Sequence, residues 1–249
     1  MSHHLVEARE LSYEYPDGTA ALRGLSFSIH HGEAVALIGA NGAGKSTLLM
    51  QLNGLLLPSA GEVRIGDLPV NRRTRAEVMR CVGYVFQDAD DQLFMPSVFE
   101  DVAFGPRNLG LDGAELEARV RTALETVGAA HLAERAPYRL SGGEKRAVAI
   151  AGVLAMSPDV LVLDEPSEGL DPAARRRLID LLTGFTHTRI VATHDLELVL
   201  DVCSRVLVLD RGQLAADGPP AAVFGDPALL ERCHLEPPPS WRPRAPAPA

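Results

Sequence analysis

The feature that most constrains the fold of this chain is the stretch of residues 39–47, which reads Gly-Ala-Asn-Gly-Ala-Gly-Lys-Ser-Thr. An apolar run, Ala34–Ile38, precedes it and predicts a buried strand, and the leucines that follow it predict a helix. A strand, a glycine-rich loop and a helix in this order form the phosphate-binding pattern GxxxxGK(S/T). Glycines let consecutive backbone N–H groups converge on a phosphate, and the helix N-terminus adds a favourable dipole. The stretch therefore predicts an α/β fold that binds a phosphorylated ligand at the end of a strand.

The residues of this loop have expected parts in phosphate binding. Lys45 would reach the β- and γ-phosphates of a nucleotide, and Ser46 would hold Mg²⁺. The alternative is a glycine-rich turn that matches the pattern by chance, which the strand and the helix on either side disfavour. The predicted phosphate site consists of Gly39, Ala40, Asn41, Gly42, Ala43, Gly44, Lys45, Ser46 and Thr47.

Composition and charge argue against several classes of protein. The 249 residues include 46% hydrophobic and 23% charged residues, which is ordinary for a soluble globular protein. The formal net charge of −9 argues against a nucleic-acid binder, which usually carries a basic patch. No apolar run reaches the ~18 residues of a membrane-spanning helix, and no signal peptide opens the sequence. The three cysteines are scattered, which fits reduced thiols in a cytoplasmic protein, and the scattered histidines do not indicate a metal site.

Predicted strands and helices alternate along most of the sequence. Leu116, Val120, Leu124 and Val127 recur at helical spacing and predict a helix over 113–130. Strands that alternate with helices indicate an α/β sheet. Further predicted helices span 141–156, 172–183 and 195–203, and predicted strands span 25–29, 63–65, 82–86, 160–163, 189–193 and 206–209.

Acidic and histidine side chains follow two of the predicted strands. Asp164 and Glu165 come directly after one apolar run, and His194 follows the next strand. Ligands of open α/β sheets bind at the carboxyl ends of the strands, so these side chains are expected at one site. Asp164 would assist the metal, and Glu165 would orient or deprotonate the attacking water. The alternative is an ordinary exposed turn, such as the one expected after Asp210.

The sequence Leu-Ser-Gly-Gly-Glu at residues 140–144 contains two glycines that need an explanation. Ser141 and Glu144 match the N-cap and N3 positions of a capping box, which predicts the start of a helix. The capping box does not explain Gly142 and Gly143, since glycine costs roughly 1 kcal/mol relative to alanine inside a helix. We infer that a partner closely approaches the bare backbone of this helix start.

Together these motifs resemble those of the ATP-binding cassette (ABC) transporter ATPases over residues 5–217. The resemblance implies an α/β fold of the ABC ATPase type. This fold has a P-loop NTPase (RecA-like) core, an N-terminal antiparallel β-subdomain and an inserted α-helical signature subdomain at about 88–157. The cassette would span 5–236 with a C-terminal extension at about 215–236, which either adds a dimer contact or only packs locally. The remaining residues, 237–249, are nearly all proline, alanine and arginine, which predicts a disordered tail.

The resemblance also implies roles for individual side chains. Residues 39–47 look like the Walker A loop, and Asp164 and Glu165 look like the Walker B aspartate and the catalytic glutamate. Residues 140–144 look like the family signature, with Glu144 where glutamine is commonest. The implied catalytic residues are Lys45, Gln87 of the Q-loop, Glu165 and His194. The implied Mg²⁺ ligands are Ser46, Gln87 and Asp164. Tyr15 would stack on adenine, and Asp171 occupies the D-loop position.

Head-to-tail pairing of two cassettes, which the resemblance implies, would explain the glycines of the signature. Ser141, Gly142 and Gly143 of one chain would face the γ-phosphate on the Walker A loop of the other, where a side chain would obstruct the phosphate. Because the sequence contains one such loop, a second copy or a relative is the implied partner. ATP and Mg²⁺ are the implied cofactors.

The segment 87–106, after the predicted Q-loop glutamine, is the most individual part of the sequence. Its large apolar side chains would suit a groove that binds a partner's amphipathic helix, although an acidic surface loop followed by a short amphipathic helix is the alternative. This segment and residues 13–18 resemble the energy-coupling factor (ECF) ATPases, most closely the cobalt-uptake type. The residues expected to contact a transmembrane coupling subunit are Leu93, Phe94, Phe99 and Phe104.

The resemblance thus implies that ATP hydrolysis by this chain powers cobalt uptake at the cytoplasmic face of the cell membrane. The implied partners are a second copy, the coupling subunit and a small metal-binding membrane subunit, without nucleic acid. The alternatives are a nickel or vitamin importer, a soluble ABC ATPase of DNA repair or translation, and a nucleotide-binding scaffold without turnover. The sequence has neither a long insertion nor a second cassette, which disfavours the soluble ATPase, and Glu165 and His194 disfavour the scaffold.

Overall fold

The computed structural model describes residues 6–241, which form two sheets and a separate helical unit. No helix among these residues is both long enough and apolar enough to span a bilayer. The strands are β1 (Val6–Glu14), β2 (Ala20–Ile29), β3 (Ala34–Ile38), β4 (Ala60–Ile65), β5 (Leu68–Pro69), β6 (Val82–Val85), β7 (Val160–Asp164), β8 (Thr188–Ala192), β9 (Arg205–Asp210) and β10 (Gln213–Gly218). The α-helices are α1 (Lys45–Asn53), α2 (Arg75–Cys81), α3 (Val98–Asn108), α4 (Gly113–Thr126), α5 (Gly142–Ala155), α6 (Pro172–Gly184), α7 (Leu196–Val202), α8 (Pro220–Phe224) and α9 (Pro227–Arg232).

A six-stranded sheet in the order β10-β9-β3-β8-β7-β6 lies at the centre of the fold. Five of its strands are parallel, and β10 joins the edge antiparallel to β9. Every residue of β3 and β7 is buried, because structure covers both faces of the sheet. The short apolar runs of the sequence are therefore strands of this sheet, as predicted.

The N-terminal part of the chain forms the antiparallel sheet β2-β1-β4-β5. Its apolar side chains share one core with α1 and one face of the parallel sheet. Leu11 and Leu25 from the first sheet meet Leu48 and Leu49 from α1 in this core, and all four are fully buried. The arrangement confirms the predicted α/β fold with a P-loop NTPase core and an antiparallel β-subdomain.

The helices α3, α4 and α5 form a unit with an apolar core of its own. Val98, Val120 and Val148 are fully buried in this core, one from each helix. Other side chains of α5, including Ile150 and Val153, pack into the core of the parallel sheet instead. The helix α5 therefore connects the helical unit to the sheet.

The predicted helix boundaries differ from the structure in one long helix. The helix predicted over 113–130 ends at Thr126, because Gly128 adopts φ = +70° in the left-handed region, a common way to end a helix. The helices predicted over 141–156 and 172–183 agree with α5 and α6 to within one residue at each end. The helices α2, α8 and α9 are too short to show a helical period, and the sequence did not predict them.

The C-terminal extension packs on the parallel sheet. Phe224, Leu229, Leu230 and Cys233 are buried in the same apolar cluster as the inner side chains of α7 and β9. These contacts favour the local-packing alternative for the extension.

The beginning of the predicted disordered tail also lies against the core, which differs from the expectation. The backbone N–H and the hydroxyl of Ser240 donate to the Glu197 carboxylate at 2.7 and 2.6 Å. The ring of Trp241 packs edge-on against Phe224, with 6.0 Å between the ring centroids. Ser240 and Trp241 thus attach this proline-rich segment to the core, although the overall composition of the segment predicts disorder. Residues 242–249 of the predicted tail lie outside the described residues.

Trp241→Ala is expected to lower the free energy of unfolding by about 1 kcal/mol, because the aromatic contact with Phe224 is lost. For a chain of this size the change corresponds to a fall in Tm of about 2–4 °C, which thermal denaturation would measure. The matched control is Tyr138→Ala, which truncates an aromatic side chain that is 76% exposed and should leave Tm unchanged. Equal Tm values for the two variants would show that Trp241 does not contribute to the packed core.

Candidate functional site

Most of the predicted site residues converge at the carboxyl edge of four neighbouring strands. The Walker A loop follows β3, His194 follows β8, Asp164 ends β7, and Gln87 follows β6. In the sheet these strands are adjacent in the order β3-β8-β7-β6. Because parallel strands end at the same edge, segments far apart in the sequence lie at one site.

Backbone contacts hold the Walker A loop between the two sheets. A Cβ atom on Gly39 would lie 2.3 Å from the carbonyl oxygen of Leu209 in β9. A Cβ atom on Gly44, whose φ is +105°, would lie 2.7 Å from the carbonyl oxygen of Ala21 in β2. The fold therefore requires glycine at both positions, in addition to any role in phosphate binding.

The side chain of Lys45 closes over the Walker A loop. It is buried, and its Nζ donates to the carbonyl oxygen of Gly39 at 2.8 Å and to that of Ala40 at 3.4 Å. The backbone N–H groups of residues 44–47 have no acceptor within the described part of the chain. A lysine beside unpaired N–H groups at a helix N-terminus is an arrangement that binds anions.

Tyr15, the residue predicted to stack on adenine, reaches the same loop. Its hydroxyl and the Oγ1 of Thr47 share a hydrogen bond of 2.9 Å, in which either can donate. Its ring packs edge-on against Tyr13, with 4.9 Å between the centroids. The structure therefore places this aromatic ring beside the first turn of α1.

Asp164 is buried with one of its two oxygens unpaired. The hydroxyl of Tyr84 in β6 donates to Oδ2 at 3.0 Å. Burial, and then the charge of Asp164, raise the pKa of Tyr84, so its hydroxyl stays protonated and remains a donor. Oδ1 has no hydrogen-bond partner within the described residues, although an unpaired buried oxygen is costly. This atom is therefore a candidate ligand for a cation.

Glu165 combines a buried carboxylate with an unusual backbone conformation. Its φ is +45°, and a left-handed conformation outside glycine costs of the order of 1–3 kcal/mol. Its Oε2 accepts from the backbone N–H of His194 at 3.1 Å and lies 2.8 Å from the Nδ1 of the same residue. The His194 side chain is 67% exposed, so the ring can contact a ligand while Nδ1 stays on Glu165.

An ion pair fixes the segment that carries His194. The Nε and Nη2 of Arg175 in α6 donate to the two carboxylate oxygens of Asp195 at 2.8 and 3.1 Å. Burial alone would raise the pKa of Asp195, but the hydrogen bonds from Arg175 and from the N–H of Leu198 lower it. Asp171, at the predicted D-loop position, is the N-cap of α6. The D-loop helix therefore also positions the predicted switch histidine.

Gln87 is held by two parts of the fold, through residues that sequence reasoning missed. The buried guanidinium of Arg146 in α5 donates to the backbone carbonyl oxygens of Phe86, at 2.6 Å, and of Gln87. The side-chain Nε2 of Gln87 donates to Oε2 of Glu168 at 2.8 Å. No local sequence pattern predicts these contacts, since they join residues about 60 and 81 positions apart.

A cavity of about 640 Å³ beside α5 is lined by residues that include Ser46, Gln87, Gly142, Lys145, Asp164 and Glu168.

The signature motif forms the predicted capping box. Ser141 Oγ accepts from the N–H of Glu144 at 3.3 Å, and Glu144 Oε2 accepts from the N–H of Ser141 at 2.8 Å, which lowers the pKa of Glu144. A Cβ atom on Gly143 would lie 3.2 Å from the Cβ of Ala174, whereas one on Gly142 would meet no atom within 4 Å. Packing within the chain therefore accounts for Gly143 and leaves Gly142 unexplained.

Comparison with known proteins identifies the family. The family model described as ABC transporter matches residues 22–168, more than half of the chain. The chain is an ABC transporter ATPase. A protein of Geobacter sulfurreducens, named as an ABC transporter ATP-binding protein, is 64% identical to this cassette over 96% of each chain.

Two further similarities define the type of cassette. The protein named energy-coupling factor transporter ATP-binding protein EcfA of Methanothermobacter thermautotrophicus is 50% identical, over 93% of this cassette and 76% of that protein. The solved structure of CbiO1 from Clostridium perfringens, described as part of the ABC transporter complex CbiONQ, has a TM-score of 0.81 at 40% identity. The similarity covers 92% of this cassette and 94% of CbiO1. The cassette is therefore an ATP-hydrolysing subunit of the ECF type, as the sequence resemblance implied.

Tyr84→Phe is expected to lower the free energy of unfolding of the cassette by about 1–3 kcal/mol, because the buried Asp164 carboxylate loses its donor. The measurement is urea denaturation of the ligand-free protein. The loss should be smaller when Tyr84→Phe is made in an Asp164→Asn background, where no buried charge is left unpaired. Equal losses in the two backgrounds would show that the hydroxyl acts independently of Asp164.

Proposed function

We propose that two copies of this cassette hydrolyse ATP together and thereby drive cobalt uptake through the membrane subunits of an ECF-type importer. The solved structure of the bacterial ABC transporter cassette MJ0796, which is 27% identical and is described as dimeric, supports the pairing of two copies. The resemblance of residues 87–106 to the cobalt-uptake type of ECF ATPase supports cobalt as the cargo. The proposed location is the cytoplasmic face of the cell membrane, where the cassette meets a coupling subunit and a small metal-binding subunit.

The exposed start of α5 is the observation that carries the dimer proposal. Ser141 and Gly142 are exposed, and no contact within the described chain requires Gly142 to lack a side chain. In a head-to-tail pair this helix start would face the phosphates on the partner's Walker A loop, where N–H groups and the helix dipole stabilise negative charge. Removal of one preorganised donor of this kind typically costs ~3 kcal/mol of transition-state stabilisation.

The sheet edge supplies the groups that hydrolysis needs. Glu165 would accept a proton from the attacking water while the water oxygen bonds to the γ-phosphorus and ADP leaves. His194 would orient the Glu165 carboxylate through its contact at Nδ1. Lys45 and the N–H groups of residues 44–47 would stabilise the negative charge of the transferred phosphoryl group.

The residues beside the Walker A loop fit Mg²⁺. The unpaired Oδ1 of Asp164 is a hard oxygen ligand, and Ser46 and Gln87 line the same cavity. Mg²⁺ is usually bound by one or two carboxylates together with phosphate oxygens. Among residues 6–241, no group of three or more histidine, cysteine, aspartate or glutamate side chains could hold a metal ion. When bound, Mg²⁺ would neutralise charge on the phosphates.

An apolar surface beside α3 is the proposed contact with the coupling subunit. Phe94 is 64% exposed and Phe104 is 43% exposed, and their rings meet edge to face at 5.0 Å. Asp101 holds the backbone of Phe94, because its Oδ1 accepts from two consecutive N–H groups at 3.0 Å each. Leu93 and Phe99 are half-buried against the helical unit and contribute less exposed area. Exposed aromatic rings on a rigid backbone suit a groove that binds a helix.

Glu165→Gln is expected to bind ATP, to lose at least about 10²-fold in turnover and to accumulate as an ATP-bound dimer. Glutamine retains the size of glutamate but cannot accept the proton of the attacking water. Phosphate release and size-exclusion chromatography with ATP would measure the two effects. The control is Glu125→Gln, which changes an exposed carboxylate on α4 and should leave both properties unchanged. Normal turnover by Glu165→Gln would remove Glu165 from the proposed role.

Combined Phe94→Glu and Phe104→Glu substitutions are expected to retain basal ATPase activity but to abolish assembly with the membrane subunits. Charged side chains there would oppose burial of the aromatic surface. The yield of membrane proteins that co-purify with the tagged cassette measures assembly. The control is Tyr138→Glu, at an exposed aromatic residue outside the proposed contact, and it should assemble normally. A normal yield from the double variant would place the contact elsewhere.

Mass spectrometry of what co-purifies from native membranes with a tagged copy tests the whole proposal. A coupling subunit and a small metal-binding membrane protein, without a second ATPase, would support a homodimeric metal importer. A different ATPase in the complex would overturn the homodimer and the dedicated cobalt assignment. Absence of membrane proteins would favour a soluble ABC ATPase.

A further inference from the structure

Glu168 lies in the turn between β7 and α6, outside the motifs that the proposed mechanism uses. Its Oε2 accepts a hydrogen bond of 2.8 Å from the side-chain Nε2 of Gln87, and both residues line the 640 Å³ cavity with Asp164. We propose that Glu168 is a positioning residue that orients the Gln87 amide so that its oxygen is available to Mg²⁺. This inference rests on the proposed role of Gln87 as a metal ligand.

The chemistry of the two side chains determines the orientation of the amide. An ionised carboxylate can only accept hydrogen bonds, so Glu168 must face the NH₂ end of the Gln87 amide. The carbonyl oxygen Oε1 is then directed away from Glu168. Without the carboxylate, the amide can rotate by half a turn and present N–H groups, which do not ligate a cation. Contacts of this kind, behind a metal ligand, typically change metal affinity 10–100-fold.

Gln87 is attached to different parts of the molecule at its two ends. Arg146 holds its backbone carbonyl from α5, in the helical unit, while Glu168 holds its side chain from the turn after β7. A rotation of the helical unit relative to the sheet would therefore stretch the bond between Gln87 and Glu168. The proposed orienting contact is thus sensitive to the relative position of the two units.

The test compares Glu168→Ala and Glu168→Gln with the exposed control Glu125→Gln. Steady-state hydrolysis is measured against free Mg²⁺ at saturating ATP. ATP binding is measured by calorimetry with and without Mg²⁺, in the Glu165→Gln background, in which turnover is expected to be at least about 10²-fold slower. For Glu168→Ala we expect the half-saturating Mg²⁺ concentration to rise about tenfold, with ATP binding unchanged when Mg²⁺ is absent. Glu168→Gln should show an intermediate increase, because its amide oxygen can still accept from Gln87.

The variant Gln87→Ala and the double variant Gln87→Ala/Glu168→Ala show whether Glu168 acts through Gln87. Loss of the effect of Glu168→Ala in the Gln87→Ala background supports the inference. An equal effect in both backgrounds overturns it, because Glu168 would then act on its own. If Gln87→Ala changes the Mg²⁺ dependence but Glu168→Ala does not, the inference about Glu168 is overturned and the proposed role of Gln87 stands. A dependence unaltered by Gln87→Ala overturns the proposed role of Gln87 itself.

A spectroscopic measurement on the ligand-free protein tests the contact directly. The side-chain NH₂ resonances of Gln87 are assigned by their absence in Gln87→Ala. They should shift in Glu168→Ala and stay unchanged in Glu125→Gln. The backbone spectrum of each variant reports whether it is folded. Unshifted resonances in a folded Glu168→Ala protein would overturn the contact and the proposal with it.

Discussion

The close packing of the Walker A loop between the two sheets is the contact on which the rest of the structure depends. Gly39 lies against β9 and Gly44 lies against β2, each at a distance that excludes a side chain. The carbonyl oxygen of Ala43 also accepts from the N–H of Gly212, in the turn between β9 and β10, at 3.0 Å. The antiparallel sheet thus helps to set where α1 begins. Asp164 at the end of β7, Glu165 after it and the histidine after β8 come beside the loop because their strands are near neighbours of β3 in the parallel sheet.

The same edge of the sheet concentrates features that reduce folding stability. Glu165 has a left-handed backbone, and Asp164 has a buried oxygen without a partner. Burial also lowers the pKa of Arg146, whose guanidinium is largely shielded from water. Such features persist where the surrounding structure holds them, and they cluster at functional sites. Their position beside the Walker A loop agrees with the ATPase activity of the family and supports the roles proposed for individual residues.

The helix α5 connects the signature, the Q-loop and the parallel sheet. Its start carries the signature glycines, Arg146 holds the backbone beside Gln87, and Ile150 packs into the core of the parallel sheet. A displacement of α5 would therefore move the signature and the Q-loop together. In the proposed head-to-tail pair, closure of the two cassettes around ATP would act on Gln87 through the same helix. The aromatic surface of Phe94 and Phe104 lies on the helical unit to which α5 belongs.

The sequence by itself determined the features that depend on near neighbours along the chain. Glycine spacing predicted the Walker A loop, Ser141 and Glu144 predicted a capping box, and apolar runs predicted the buried strands. Only the tertiary structure decided the contacts of Asp164 with Tyr84 and of Gln87 with Glu168, which span 80 and 81 residues. It also decided that the proline-rich segment packs through Trp241. The physical reason is that backbone conformation follows local sterics and periodicity, whereas a buried polar atom finds its partner only after the strands have assembled.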